Sequence, residues 1–167
     1  MPIKFFRSRL RARDSIRASR SRPPLISERL RPEHVLAVEL SPQHAAAVGA
    51  ITRESAERLC AATRVGWAIV EGGVTLGCGG LAEVWENRAQ AWTLMSPALM
   101  SPRRFRIVQR MVQGVLDDAP WRRIEMDVDT ANTAGAAWIE RLGFVREGVR
   151  RKYTVDGRDV VLFARVK

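Results

Sequence analysis

From Ser101-Pro102 onward, Phe105, Val108, Met111, Val112, Val115 and Leu116 recur every three or four positions, the period at which an α-helix returns to one face. Arg103, Arg104, Arg106, Arg110 and Gln113 fall on the other face. The Ser-Pro pair is a start signal, an N-cap followed by a residue that gives up no usable N–H in the first turn. Arg123 to Asp129 alternates instead, with Ile124, Met126 and Val128 set between charged residues, as a strand with one wet face must. Trp67–Val70 and Val74–Gly77 flank Glu71-Gly72-Gly73. Adjacent glycines permit positive φ, so a hairpin is predicted there, its second strand running on toward Trp85. A polar turn at Glu86-Asn87-Arg88 leads to a further strand over Ala91–Met95. Asn132 is placed to cap a helix carrying Ala136, Ile139 and Leu142, with Gly143 as its left-handed stop. Phe144–Tyr153 and Asp159–Val166 read as strands joined by a turn at Val155-Asp156-Gly157-Arg158. At the other end, Val35–Leu40 predicts a first strand, and Ser41-Pro42 opens a helical region through about Thr63.

The resulting order is strand, helices, three strands, helix, strand, helix, two strands. It predicts an α/β fold built on a mixed, mostly antiparallel sheet flanked by helices, with no internal repeat. Composition agrees with this: 167 residues, 46% apolar and 28% charged, suit one compact domain with a real core. No apolar stretch is long enough to span a bilayer and none near Met1 resembles a secretory signal, so a cytoplasmic, membrane-free protein is expected. Cys60 and Cys78 stand far apart without a CxxC. They are expected to be buried thiols rather than zinc ligands.

Charge divides the chain. The formal net charge is +10, and residues 1–33 hold ten basic side chains against Asp14, Glu28 and Glu33, a net +7 that leaves +3 for the rest. These 33 residues are expected to form a basic, extended arm, with the folded domain over 34–167. Pro23-Pro24 discourage a helix from continuing through them, and the arm is too poor in apolar residues to offset its own ordering entropy. Three roles stay open for Arg7, Arg9, Arg11, Arg13, Arg17, Arg20 and Arg22. They are a solvated tail, an anchor on an acidic protein surface or nucleic acid, and an organellar transit peptide.

The element order, together with Asn132-x5-Trp138-Ile139-Glu140-Arg141-Leu142-Gly143-Phe144-Val145-Arg146-Glu147-Gly148, resembles the GCN5-related N-acetyltransferase (GNAT) superfamily over about residues 35–167. Arg150, Asp156-Gly157-Arg158-Asp159 and Leu162-Phe163-Ala164-Arg165 continue as its ribosomal-protein acetyltransferase branch often does. The resemblance implies acetyl-CoA as cofactor and an amine or protein N-terminus as acceptor. It places coenzyme contacts at Met95, Arg103, Arg104 and Asn132.

Two departures weaken that implication. The family holds the coenzyme pyrophosphate in a (Gln/Arg)-x-x-Gly-x-(Gly/Ala) loop, whose N–H groups point at the phosphates from a helix N-terminus. Met95 to Phe105 has no glycine here, and Pro97 and Pro102 each remove a donor. The second departure is at the position where many members carry a proton-donating Tyr, which here is Ile139 and cannot transfer a proton. Tyr153, the sole tyrosine, reads as a packing residue. Glu83 and Glu86 read equally as an amine base or a solvated strand end, and His34 and His44 belong to no recognisable triad. No catalytic residue is assigned, and weak or absent acetyl-CoA binding is expected.

Trp92-Thr93-Leu94, Ser101-Pro102 and Arg103-Arg104-Phe105-Arg106 are also similar to GNAT-like proteins of tailed bacteriophages, including the family of an internal virion protein of short-tailed coliphages. That narrower resemblance implies a virion structural or assembly role, with phage proteins as partners of the arm.

Overall fold

The computed structural model describes residues 23–167; the seven arm arginines singled out above lie outside that range. A seven-stranded sheet runs through the domain in the order β1-β2-β3-β4-β5-β7-β6. Its strands are β1 (Leu25–Arg29), β2 (Thr63–Glu71), β3 (Val74–Trp85), β4 (Arg88–Met95), β5 (Arg123–Asp129), β6 (Val145–Arg150) and β7 (Val160–Val166). The helices are α1 (Pro32–Ala37), α2 (Pro42–Val48), α3 (Arg53–Ala62), α4 (Pro102–Asp118) and α5 (Thr133–Arg141), with one 3-10 turn at Pro97–Met100. From β2 onward the predicted order of elements is the observed one. Every strand pair is antiparallel except β4 with β5.

One element differs in kind. Val35–Leu40 is not a strand: Pro32–Ala37 is a short helix with proline at its first position. The first strand lies earlier, where Leu25–Arg29 pairs antiparallel with Trp67–Glu71. Six helical residues make too few turns to display a 3.6 period, so Val35, Ala37, Val38 and Leu40 imitate alternation. The helical region after Ser41 is two helices, because Gly49 leaves α2 at φ 77°. Thr52 and Ser55 then start α3 with a reciprocal cap.

The sheet separates two layers of core. Leu81, Leu116, Ile124, Ile139, Leu142 and Phe163 belong to the larger one, under α4 and α5. Val35, Val38, Ala56, Ala68, Cys78 and Leu94 form the smaller one, under α1 and α3. Both thiols are free, and burial pushes Cys78 up to about 12. Gly143 takes φ 85° at the end of α5 and drops Phe144 into the core. Gly80 serves close approach instead. A Cβ there would stand 2.3 Å from the Thr63 methyl and 2.9 Å from the Val65 carbonyl oxygen. Gly80→Ala is therefore expected to destabilise by about 1–3 kcal/mol, read as a lower midpoint in urea with an unchanged slope.

Candidate functional site: the gap between β4 and β5

β4 and β5 pair only over Arg88–Gln90 and Arg123–Glu125. Beyond that, β4 runs to Met95 and β5 to Asp129 with no ladder between them, and the parallel strands part. A gap of this kind leaves strand-edge N–H and C=O groups without a sheet partner on that side, which suits a ligand backbone. Ala91, Trp92 and Thr93 line one side, Met126 the other, and Trp138 and Ile139 of α5 close it, leaving a cavity of about 10 Å³. That is at most the room of one water molecule. Phe105, in the first turn of α4, meets Trp138 with ring centroids 5.6 Å apart at 57°. This tilted aromatic contact bridges the two helices beside the gap. The Trp138 indole N–H is buried and has no acceptor among the described residues.

The turn joining β4 to α4 is built from Ser96 outward. Its N–H donates to the Leu76 carbonyl at 2.9 Å, while its hydroxyl accepts from Ala98 N–H at 3.3 Å and its carbonyl from Leu99 N–H at 3.0 Å. Leu99 is buried and packs toward Gly77. Pro97 and Pro102 contribute no donor. Three N–H groups of residues 96–99 are therefore engaged, Ser96 with β3 and Ala98 and Leu99 within the turn, whereas the start of α4 has no side-chain cap. Arg104 is drawn inward as well: it forms an ion pair with Glu71, and its Nη1 donates to the Ala98 carbonyl at 2.6 Å. The periodicity had set it on the solvent face. Arg103 is exposed and makes no ion pair or hydrogen bond among the described residues. Met95 ends β4 half-buried against the larger core. The Asn132 side chain caps α5, its Oδ1 accepting from Gly135 N–H at 2.9 Å. A pyrophosphate nest and a channel for a pantetheine arm are the two things acetyl-CoA needs. The turn commits three donors elsewhere, and the gap holds about 10 Å³.

On the opposite face of the sheet, Arg123, Glu125, Asp127 and Asp129 form a charged row along β5. Glu125 is only 4% exposed. It forms ion pairs with Arg88, Arg123 and Arg150, and the Arg88 guanidinium, opposed by burial, holds its carboxyl down at about 2. Asp127 behaves in the reverse sense. Its Oδ2 accepts from Gln90 at 3.2 Å and Arg150 at 3.4 Å, while Oδ1 is buried without a partner. Burial raises its pKa against the pull of Arg150. Tyr153 accepts from Arg150 Nη1 at 3.2 Å through its hydroxyl and is half exposed. It is part of this polar face rather than of the core.

Asp127 is the group that sequence reasoning passed over. The signal was present, since four charged residues at alternate positions of a central strand put at least one carboxylate on the sheet face away from the larger core. Glu83 and Glu86 do not come to the gap. Glu83 pairs with Arg64 at 2.7 Å near the far end of β3, and Glu86 is exposed in the β3–β4 turn. His34 is buried between Arg31 and Glu28. His44 lies on α2, where burial first and then Arg158 lower its pKa. Among the described residues no group of His, Cys, Asp and Glu side chains is arranged to hold a metal, and no helix is long and apolar enough to cross a membrane.

No family model and no curated protein matches the chain in sequence. Solved structures do match in shape. Ard1 from Thermoplasma volcanium superimposes with a TM-score of 0.71 at 11% identity, over 85% of this chain and 97% of that one. The ribosomal-protein-S18-alanine N-acetyltransferase from Escherichia coli gives 0.68 at 17% identity, over 86% and 94%. An acetyltransferase of the GNAT family from Streptococcus pneumoniae gives 0.64 at 13% identity, over 86% and 100%. The chain has the GNAT fold. At these identities the likeness is one of architecture, and the parted β4 and β5 are the feature of this GNAT fold in which the side-chain chemistry has to be judged residue by residue.

Proposed function

We propose that this GNAT-fold chain works by binding rather than by acetyl transfer, as a phage or prophage component of a virion or of its assembly, anchored by its basic arm to an acidic protein surface. The observation that carries the reading is the β4–α4 turn, where Ser96, Ala98 and Leu99 direct their N–H groups to Leu76 and Ser96 rather than outward. Two further observations support it: the Phe105–Trp138 contact beside the gap and Ile139 where a proton donor would stand. The virion role rests on the narrower resemblance at Trp92–Leu94 and Arg103–Arg106, and the anchor on the net +7 of residues 1–33.

Asp127 favours a second reading, an active N-acetyltransferase on an amine or protein N-terminus, the activity named for the E. coli structural neighbour. A carboxyl raised by burial beside the gap is suited to accept a proton from an ammonium. Thermal unfolding in millimolar acetyl-CoA separates the two. A ligand at a hundred times its dissociation constant stabilises by about 2.7 kcal/mol. We expect no shift; a clear rise in Tm would sink the binding-only reading.

A further inference from the structure

The outer face of α4 carries an inference that the gap does not use. Arg103, Arg106 and Arg110 are all exposed. At 100° per residue the three lie within about 60° of one another, along roughly 10 Å of helix. None of them is in an ion pair among the described residues. Arg88, Arg104, Arg123, Arg150, Arg158 and Arg165 are paired with carboxylates; other arginines also stand outside the ion pairs, and what sets these three apart is their alignment on one helix face. Only the Arg106 Nε is engaged, donating to the Pro102 carbonyl at 3.2 Å, which steadies the guanidinium over the first turn. No acid occurs in α4 before Asp117, and Asp117 is held by Arg165 and Gln113. The helix N-terminus adds its own positive end to the same region. Arg103-Arg104-Phe105-Arg106 thus splits by direction: Arg104 and Phe105 turn inward, while Arg103 and Arg106 present free donors to solvent.

We propose that this stripe binds the phosphate backbone of nucleic acid. Guanidinium groups spaced by one helical turn, with no acid among them, complement a regular row of phosphates, and their planar donors bind phosphate oxygens in pairs. The contacts are to backbone, so binding is expected to be independent of base sequence. An acidic protein offers carboxylates without that regular spacing, so it is the competing occupant to exclude.

The test is the salt dependence of binding by the full chain to a fluorescent DNA duplex of arbitrary sequence, followed by anisotropy. Each phosphate neutralised contributes about 0.9 to the slope of log K against log salt. The triple variant R103Q/R106Q/R110Q is therefore expected to lower that slope by roughly 2.7 relative to the parent. Its Tm should be unchanged, because all three side chains are exposed. Arm and stripe are distinguishable, since the arm is intact in the variant. Absence of duplex binding by the parent, or an unaltered slope in the variant, overturns the proposal. So does competition by polyglutamate as effective as that by unlabelled duplex at equal charge, which would assign the stripe to an acidic protein. Because the readout needs neither coenzyme nor acceptor, it stands or falls apart from the question of acetyl transfer.

Discussion

Glu125→Ala is expected to cost about 3–5 kcal/mol of stability, the usual penalty for removing one partner of a buried ion pair and leaving its charges behind. Here three guanidinium groups converge on one buried carboxylate: Arg88 through two hydrogen bonds, Arg123 at 2.6 Å and Arg150 at 3.5 Å. Without Glu125, Arg123 retains Glu147 and Arg150 retains Asp127, whereas Arg88 loses its one carboxylate partner among the described residues and keeps its stacking on Trp85 at 4.1 Å. The pH dependence follows from the depressed carboxyl. A folded value of about 2 lies below the ordinary 4.5, so the contribution is complete above about 4.5 and is lost as pH falls toward 2. Urea titrations at pH 6 and pH 3 check both points. The parent should lose more stability between these pH values than the variant does. Equal losses in the two proteins would remove Glu125 from the account of acid lability.

Trp138→Ala is the second large effect, about 3–5 kcal/mol, as for other buried aromatic truncations. The indole is 5% exposed, and it packs against Phe105 while lining the gap between β4 and β5. The cost should fall toward the lower end of that range, because the side chain also buries an indole N–H with no acceptor among the described residues and its removal relieves that. The variant enlarges the gap but leaves the donors of Ser96, Ala98 and Leu99 engaged in their turn. Acetyl-CoA is thus expected to leave its Tm unmoved as well. A coenzyme-induced rise in Trp138→Ala alone would mean that the aromatic contact, and not the turn, is what excludes the coenzyme.

How far the sequence could be read depended on where the determining interactions lie. α4, β5 and the α5–β6 junction are written locally, in the period of Phe105 to Leu116, the alternation of Arg123 to Asp129, and the Asn132 and Gly143 caps. β1 is not, because Leu25–Arg29 is an edge strand whose only reason to be extended is the β2 main chain, more than thirty residues away in sequence. The same holds for Arg104, assigned to solvent by its period and turned inward by Glu71, a residue of another element. At the gap, the missing glycines and the two prolines of residues 95–105 were legible. The direction in which Ser96 organises its neighbours needed the position of Leu76 on β3.

The three-residue join between β4 and β5 has a kinetic meaning. On one side, β1 to β4 form an antiparallel meander in which β2, β3 and β4 follow one another by short turns; on the other, β5, β7 and β6 form a second antiparallel unit. Within them β2, β3 and β4 close through short turns, while β1–β2 and β5–β7 pair over more than thirty residues of chain. The join requires partners such as Arg88 and Glu125, 37 residues apart, to meet across α4; that separation is no longer than those, but the pairing is parallel and three residues long, and parallel pairing is slow. The Arg88–Glu125 and Gln90–Asp127 contacts then act as a clasp fastened after the two halves have formed. In a chevron, loosening that clasp should steepen escape from the native state and leave the rate of arrival almost untouched.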